Sequence, residues 1–585
     1  MEKQSIQLTP NARLVLEKRY LKKDTRGLPV ESPEDMFRRM ASNVASADLI
    51  YDKNADINSL EEQFYNLLAT LQFMPNSPAL MNAGRDLQQL LACFVLPVED
   101  SIELIFETVK QAALIHKSGG GTGFSFSRIR PRNDIVSTSG GCASGPISFM
   151  RVFNEATEAI NQGGFRRGAN MAVLRVDHPD ILDFISSKKV EGELRNFNIS
   201  VGITDKFMDA VEGNLDFQLI NPRVNSVAKL VNASELFEQI VRFAWKNGEP
   251  GILFLDTINA ANPTPFIGTI EGTNPCGEQP LLPYEACVLG SINLSRMVVL
   301  KNEKYVIDWN RLEHVIQLAV HFLDNVIDVS KYPIHQIERI TKGNRKIGLG
   351  VMGFADLLIK LGISYNSEEA IQCAEGLMKF FSQKANEASI KLAEKRGVFS
   401  NYPKSIYAQK GNQRYRNATR TTIAPTGTIS IIANCSSGIE PLFAIVYKRH
   451  VLLEDGLPEI HPMFVETAKR HGFYSERLIG EVSKAGSMQN IKGVPDDVKR
   501  IFITARDVTP EQHVRIQAAC QKYIDNGVSK TINFPNEATI DDVKKVFLLA
   551  YKSGCKGITV YRDKSRMSQV LSIECTCAKQ IINKT

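Results

Sequence analysis

Between residues 73 and 561 two hydrophobic rhythms alternate without interruption, and this restricts the fold more than any other feature of the chain. Short apolar stretches at residues 124–129, 217–220, 252–255 and 421–424 read as strands. Longer segments with helical spacing, at 102–116, 149–161 and 312–329, lie among them. Strands alternating with helices point to an α/β protein with much parallel sheet. A chain of 585 residues would suggest about four domains at about 150 residues each. No low-complexity linker or internal repeat divides the stretch, however, so one large domain is expected over residues 76–561. Residues 1–75 read as a helical N-terminal region, with Ser32 as an N-cap before Pro33 and a second amphipathic run at 60–71. After residue 561 the composition turns polar, and 562–585 reads as a flexible tail.

Composition narrows the function classes. With 43% hydrophobic and 23% charged residues, 39 Gly and 25 Pro, collagen-like, coiled-coil and wholly disordered chains are excluded. A net charge of +6 gives no electrostatic case for a nucleic-acid polymer or an anionic membrane as partner. Residues 1–20 lack the apolar core of a signal peptide, and no uncharged apolar run is long enough to span a membrane. The ten cysteines are scattered, apart from Cys575 and Cys577, which does not suit a secreted disulfide framework. A reducing, cytoplasmic setting is expected.

Several motifs carry bland readings. GLGVMG at 348–353 fits a dinucleotide fingerprint, but residues 342–347 are too polar for the buried strand it needs, so a strand-to-helix packing corner is expected. In GGGTG at 119–123 the helix comes first and the strand second, so a helix N-terminus for a pyrophosphate is missing. Its glycines still permit close approach to the backbone. His314 and His321, with Asp324 and Asp328 on the same helix, lack metal-ligand spacing and read as helix-packing residues. The C-x-C at Cys575 and Cys577 has too few companions for zinc, leaving a mobile dithiol or two incidental tail cysteines.

The segment TNPCGEQPLLPYEACVLGSINL, residues 273–294, differs in kind. Prolines at 275, 280 and 283 prevent a helix and remove donors from any ladder, so a stiff irregular loop is expected around Cys276. Alternate side chains of an extended stretch share a face, so Asn274, Cys276 and Glu278 could address one ligand. Cys287 opens an apolar run that reads as a strand. No histidine is placed as the base that a cysteine nucleophile uses, which leaves a thiol that never needs to become a thiolate. In TTIAPTGTIS, residues 421–430, a short β-branched strand runs into hydroxyl and glycine residues that could cradle a phosphate. A generic turn is the alternative.

Together these segments resemble ribonucleotide reductases, specifically the adenosylcobalamin-dependent class. The resemblance rests on NSPALMNAG at 76–84, ACFVLP at 92–97, residues 119–123, NPCGE at 274–278, residues 286–294 and 344–358, PTGTIS at 425–430 and GITVYR at 557–562. It implies a ten-stranded α/β barrel with a central finger loop carrying Cys276 at its tip. It also implies replacement of the ribose 2′-hydroxyl by hydrogen, with adenosylcobalamin as the source of a thiyl radical at Cys276. Glu278 would take the 3′-hydroxyl proton, Asn274 would hold the substrate, and Cys93 and Cys287 would supply two electrons as they close to a disulfide. A transient bridge of this kind suits a reducing compartment.

The same resemblance assigns substrate contacts to Ser77, to Pro425, Thr426, Gly427, Thr428 and Ile429 for the phosphates, and to Ala92 and Gly121 for the nucleoside. Pro275 and Gly277 flank the radical thiol in that pocket. Residues 130–145 and 161–168 match the loops that read a deoxynucleoside triphosphate effector, with Arg130, Asn161, Arg166 and Arg167 as its ligands. Guanidinium forks suit phosphate. A homodimer and a thioredoxin-like reductant are implied, with Cys575 and Cys577 as the electron shuttle, and no protein side chain is expected to ligate a metal. The other reductase classes fit less well: the chain has no Tyr-Tyr pair, and residues 558–585 contain no glycine for a glycyl radical. No regulatory cone precedes the helical region, so specificity control without on/off control is expected. The resemblance leans to diphosphate substrates.

Overall fold

A computed structural model describes residues 6–136, 140–161, 168–411, 413–449, 457–566 and 571–572. Its central sheet has ten strands: β1 (Phe73–Pro75), β2 (Cys93–Pro97), β3 (Gly121–Ser125), β4 (Asn170–Arg175), β5 (Phe197–Ile203), β6 (Gly251–Phe254), β7 (Glu285–Asn293), β8 (Ile347–Met352), β9 (Thr531–Phe534) and β10 (Gly557–Arg562). Strands β2 to β6 lie side by side and parallel. Parallel neighbours need crossovers, which here include helices Ile102–Lys117 and Ala233–Asn247. Strands β7 and β8 are also parallel to each other, as are β9 and β10. The two groups meet antiparallel at β2–β7 and at β6–β10.

Residues 421–423 fill the remaining gap between β8 and β9. Leu349 pairs with Thr421 and Ile423 with Val528, both in the parallel sense. Thr422 N–H donates to Leu349 O at 3.0 Å, and Ser529 N–H donates to Ile423 O at 2.8 Å. The β-branched run expected to be a strand therefore completes the barrel, which consists of two five-membered halves running in opposite directions. Strand β1 continues the β2 edge along β7. Every residue of β7 and β8 is buried, as expected of strands covered on both faces.

The stretch at 217–220 behaves differently. It belongs to strand Asp216–Asn221, which pairs with Ser226–Asn232 in a separate hairpin outside the barrel. Phe217 and Leu219 are buried while Asp216 and Gln218 are exposed, a pattern that covers only one face.

Ser32 and Asp35 form a reciprocal capping box at the start of helix Pro33–Ala45. This helix and Ile57–Ala69 pack on the barrel through one continuous apolar core. A buried ionic network adds to the junction. The fully buried Asp324 accepts from Arg345 Nε at 2.9 Å, Arg396 Nη1 at 3.1 Å, Arg416 Nε at 3.3 Å and Asn417 Nδ2 at 2.9 Å. Asp328 pairs with Arg345 and accepts from Tyr51, and His321 meets Asp48 at 2.9 Å. The packing role expected of His321, Asp324 and Asp328 is an ionic one; His314 is exposed.

Candidate active site

The proline-rich segment folds as a hairpin inside the barrel. Gly272–Thr273 pairs with Pro280–Leu281, and residues 274–279 form the tip. Asn274 Oδ1 accepts from Gln279 N–H at 2.9 Å, and Gly277, with φ +81°, turns the chain back towards Asn274. The barrel grips this finger from two sides. On the β3 side, a Cβ on Gly123 would stand 1.7 Å from Thr273 O, and Asn198 of β5 donates to Pro275 O at 2.8 Å. On the opposite side Thr422 Oγ1 and Gly527 N–H both donate to Glu278 O, at 2.9 and 2.8 Å. The glycines of 119–123 thus admit the finger's own backbone.

At the tip, Cys276 is exposed to a cavity of about 2150 Å³. Asn274 and Glu278 are buried, and Asn274 Nδ2 donates to Glu278 Oε2 at 2.8 Å and to Cys93 Sγ at 3.0 Å. Cys93 on β2 stands directly opposite Cys287 on β7. Opposed antiparallel residues have Cα atoms about 4.5 or about 5.5 Å apart, and either spacing lies within the range of about 4.4 to 6.8 Å that a disulfide spans. Burial pushes the Cys93 thiol well above its ordinary pKa, and Glu278, Cys287 and Cys276 push it further. Cys287 is raised by burial against the opposing pull of Lys346. Both stay protonated at neutral pH. Resting as thiols, they hold the hydrogens that a reductive step would use.

The structure brings together most of the substrate residues expected from the sequence. Gly121 N–H donates to Ala92 O at 2.9 Å, and a Cβ on Gly121 would meet Pro275 Cγ at 3.0 Å. Ala92 and Ala424 pack against Cys93 and Cys287. Pro425 lines the cavity, Thr426 accepts from Gly438 N–H at 2.8 Å, and Gly427, Thr428 and Ile429 lead into helix Ile429–Ile432. Ser77 opens helix Ser77–Asn82, and its hydroxyl lies 2.7 Å from Tyr20 Oη. Of the expected effector residues, Arg130 and Asn161 fall among the described residues. Arg130 is held by Asp100 at 2.8 Å, and Asn161 ends helix Pro146–Asn161. Arg166, Arg167, Cys575 and Cys577 lie outside the described residues.

The structure also settles one motif and adds two features that the sequence reading did not contain. The motif GLGVMG contains its strand rather than following one: β8 includes Gly348 and Gly350, and Gly353 turns the chain into helix Phe354–Leu361. This is the expected packing corner. The polarity of residues 342–347 conceals a buried ion pair, Lys346 Nζ to Glu285 Oε2 at 2.7 Å, behind Cys287. Glu285 lies two residues before Cys287 and shares its strand face, a signal that was available. The cavity also exceeds the roughly 300 to 1,000 Å³ of ordinary ligand pockets, leaving room for a large cofactor as well as a nucleotide. Its wall includes Asn198, Ser437, His461, Lys530 and Asn533.

An exposed thiol on a finger threaded through a barrel of two five-stranded halves defines a class, and the comparisons agree with it. Residues 91–561 match the family model for the ribonucleotide reductase barrel domain, and residues 6–88 match that for the ribonucleotide reductase all-alpha domain. The chain belongs to the ribonucleotide reductase family. It is 48% identical to the vitamin B12-dependent ribonucleoside-diphosphate reductase of Thermoplasma acidophilum, over 97% of this chain and 81% of that protein. The protein of the same name from Mycobacterium tuberculosis gives the same identity and coverage. Among solved structures, the class Id ribonucleotide reductase alpha subunit of Actinobacillus ureae superposes with a TM-score of 0.78 at 24% identity, covering 95% of this chain and 97% of that one. At that identity the likeness concerns the fold alone.

Proposed function

We propose that the chain reduces ribonucleoside diphosphates to 2′-deoxyribonucleoside diphosphates, with adenosylcobalamin as cofactor and Cys276 as the radical thiol. The observation that carries this reading is one constellation: an exposed thiol at the finger tip over a large cavity, with Asn274, Glu278 and the opposed Cys93 and Cys287 around it. The relatives named vitamin B12-dependent support the cofactor, and the cavity has room for it. When bound, the cofactor supplies the radical that takes the hydrogen atom from the Cys276 thiol.

The protein's residues do the rest. The Cys276 thiyl carries no charge, so it needs no base, and it removes the hydrogen on the 3′ carbon. Glu278 accepts the 3′-hydroxyl proton while Asn274 holds the carboxylate and the substrate in register. Loss of the 2′-hydroxyl as water follows, and Cys93 and Cys287 supply two hydrogens as their sulfurs bond. Cys276 then returns hydrogen to the 3′ carbon. Ser77 and residues 425–429 bind the phosphates. An external dithiol of the thioredoxin type reopens the disulfide, with Cys575 and Cys577 as carriers. A deoxynucleoside triphosphate near Arg130, Asn161, Arg166 and Arg167 selects the substrate across a homodimer interface, in the cytoplasm.

The test incubates purified chain with a ribonucleoside diphosphate, dithiothreitol and adenosylcobalamin. Deoxynucleoside diphosphate is expected from the wild type and none from Cys276→Ser. Product from Cys276→Ser at the wild-type rate would overturn the radical assignment.

A further inference from the structure

The Lys346–Glu285 pair has no part in the reaction described so far, yet it lies against one of the two redox thiols. Strands β7 and β8 are parallel with Val288 opposite Ile347, which places Cys287 opposite Lys346. Cys287 therefore stands between Cys93 on one neighbouring strand and Lys346 on the other. Its thiol lies 3.5 Å from Lys346 O. Lys346 reaches Glu285, which is on the Cys287 face of β7, at 2.7 Å. Both charges are fully enclosed, at 1% and 0% exposure.

An ion pair so deep is costly to desolvate and is weak evidence of stabilisation alone. Glu285 is satisfied from three directions, by Lys346, by Asn344 Nδ2 at 2.6 Å and by Leu282 N–H at 2.8 Å. Burial raises the Cys287 thiol most, and Lys346 pulls it down by more than either Glu285 or Glu278 pushes it up. Lys556 is the other buried cation beside it, and Asp525 shares the small cavity that both lysines line. The two redox sulfurs are thus unequal: Cys93 keeps 4% exposure and accepts from Asn274, whereas Cys287 has none and lies opposite Lys346 on the neighbouring strand.

We propose that Lys346 is a positioning residue for the reductive half of the cycle, making Cys287 the leaving sulfur when an external dithiol reopens the Cys93–Cys287 bridge. The inference rests on the disulfide reading above. The dithiol's thiolate attacks Cys93 Sγ, the Cys93–Cys287 bond breaks, and its electron pair goes to Cys287 Sγ. Lys346 stabilises the departing thiolate, which is reprotonated by the proton released from the dithiol's second sulfur. That second sulfur then attacks the mixed disulfide, closing the oxidised dithiol and releasing Cys93 as a thiolate, which takes up from solvent the proton that the dithiol's first sulfur lost on ionising. Two electrons and two protons pass from the dithiol to the enzyme. A leaving thiol of lower pKa departs faster, and a neighbouring cation lowers a pKa by about one to three units, so loss of Lys346 should slow the step by about tenfold.

The test compares wild type, Lys346→Arg and the double variant Glu285→Gln with Lys346→Met, which removes both charges together and leaves no lone buried ion. Two quantities are read on adenosylcobalamin-loaded enzyme: deoxynucleotide formed in the first turnover without reductant, and the rate at which dithiothreitol restores alkylatable Cys93 and Cys287 in the oxidised enzyme. The double variant should keep its first-turnover yield within about twofold, while thiol recovery slows about tenfold. Lys346→Arg should recover within about threefold of wild type. Recovery at the wild-type rate in the double variant overturns the proposal. So does a proportional fall in both quantities, which marks a merely structural pair. Absence of first-turnover product from the wild type would instead sink the underlying function.

Discussion

Replacing Gly123 by alanine should uncouple folding from catalysis. The new methyl carbon would stand 1.7 Å from Thr273 O and 2.8 Å from its carbonyl carbon, whereas real Cβ contacts do not fall below 3.0 Å. Strand and finger must therefore part by about 1.3 Å. The finger has no room to retreat, because a Cβ-sized gap is already lacking on its far side: Gly527 lies against Gly277 O, and Gly527 N–H and Thr422 hold Glu278 O. The displacement must pass along the hairpin to Cys276. Overpacking of this kind costs about 1–3 kcal/mol of stability, while a 1 Å misplacement of a reacting group costs about 10²-fold in rate. The assay is single-turnover deoxynucleotide formation beside thermal unfolding. Gly376→Ala, at a helical glycine with nothing within 4 Å, is the control and should leave the rate unchanged. A Gly123→Ala enzyme that forms product within twofold of wild type would refute the claim that the barrel wall sets the position of the thiol.

Other perturbations separate chemistry from architecture. Cys276→Ser should abolish product while shifting stability by less than about 0.5 kcal/mol, since the side chain is exposed; a collapse in the melting midpoint would show that the thiol holds the finger. After one turnover, peptide mapping should find Cys93 joined to Cys287, and Cys287→Ser should leave Cys93 alkylatable and stop dithiol-driven turnover; a bridge to any other cysteine contradicts the assignment. Asp324→Asn leaves Arg345, Arg396 and Arg416 around a neutral side chain and should cost about 3–5 kcal/mol in urea denaturation, against less than 1 if the network is ornamental. Asp48 would be raised by burial, but His321, Asn325 and Arg396 outweigh that and hold it at about 2. A carboxylate depressed in the folded state stabilises above the unfolded value and loses that contribution as pH falls through the folded one. The stability gap between wild type and Asp48→Asn should therefore be about 2 kcal/mol at pH 6 and shrink between about pH 4 and pH 2; a gap independent of pH refutes it.

Legibility followed the range over which each residue is constrained. The finger could be read from residues 273–294 because prolines act on their own backbone, and the strand at Cys287 because its apolar run is local. The barrel's closure could be read only in part. Residues 421–423 have the β-branched character of a strand, but they are held by single bridges to β8 and Val528, and nothing nearby in the chain names those partners. The hairpin at 216–232 misled because a short apolar run has the same composition whether one face or two are buried, and only its alternation shows which.

The opposed cysteines show the harder case. Cys93 and Cys287 lie 194 positions apart, and only the β2–β7 register makes them opposite. Lys346 counted as evidence against a buried strand because a lone lysine is rarely buried, yet a carboxylate on the adjacent strand removes the objection. Its charge is tolerable only because Glu285 is there. Glu285 is in turn fixed two residues from Cys287 by the pleat of β7, so the same geometry that hides the lysine from sequence reasoning places its residue beside Cys287. A polar residue that breaks an otherwise apolar strand pattern in a chain of this kind is therefore worth pairing, across the neighbouring strands, with every thiol that the chemistry requires.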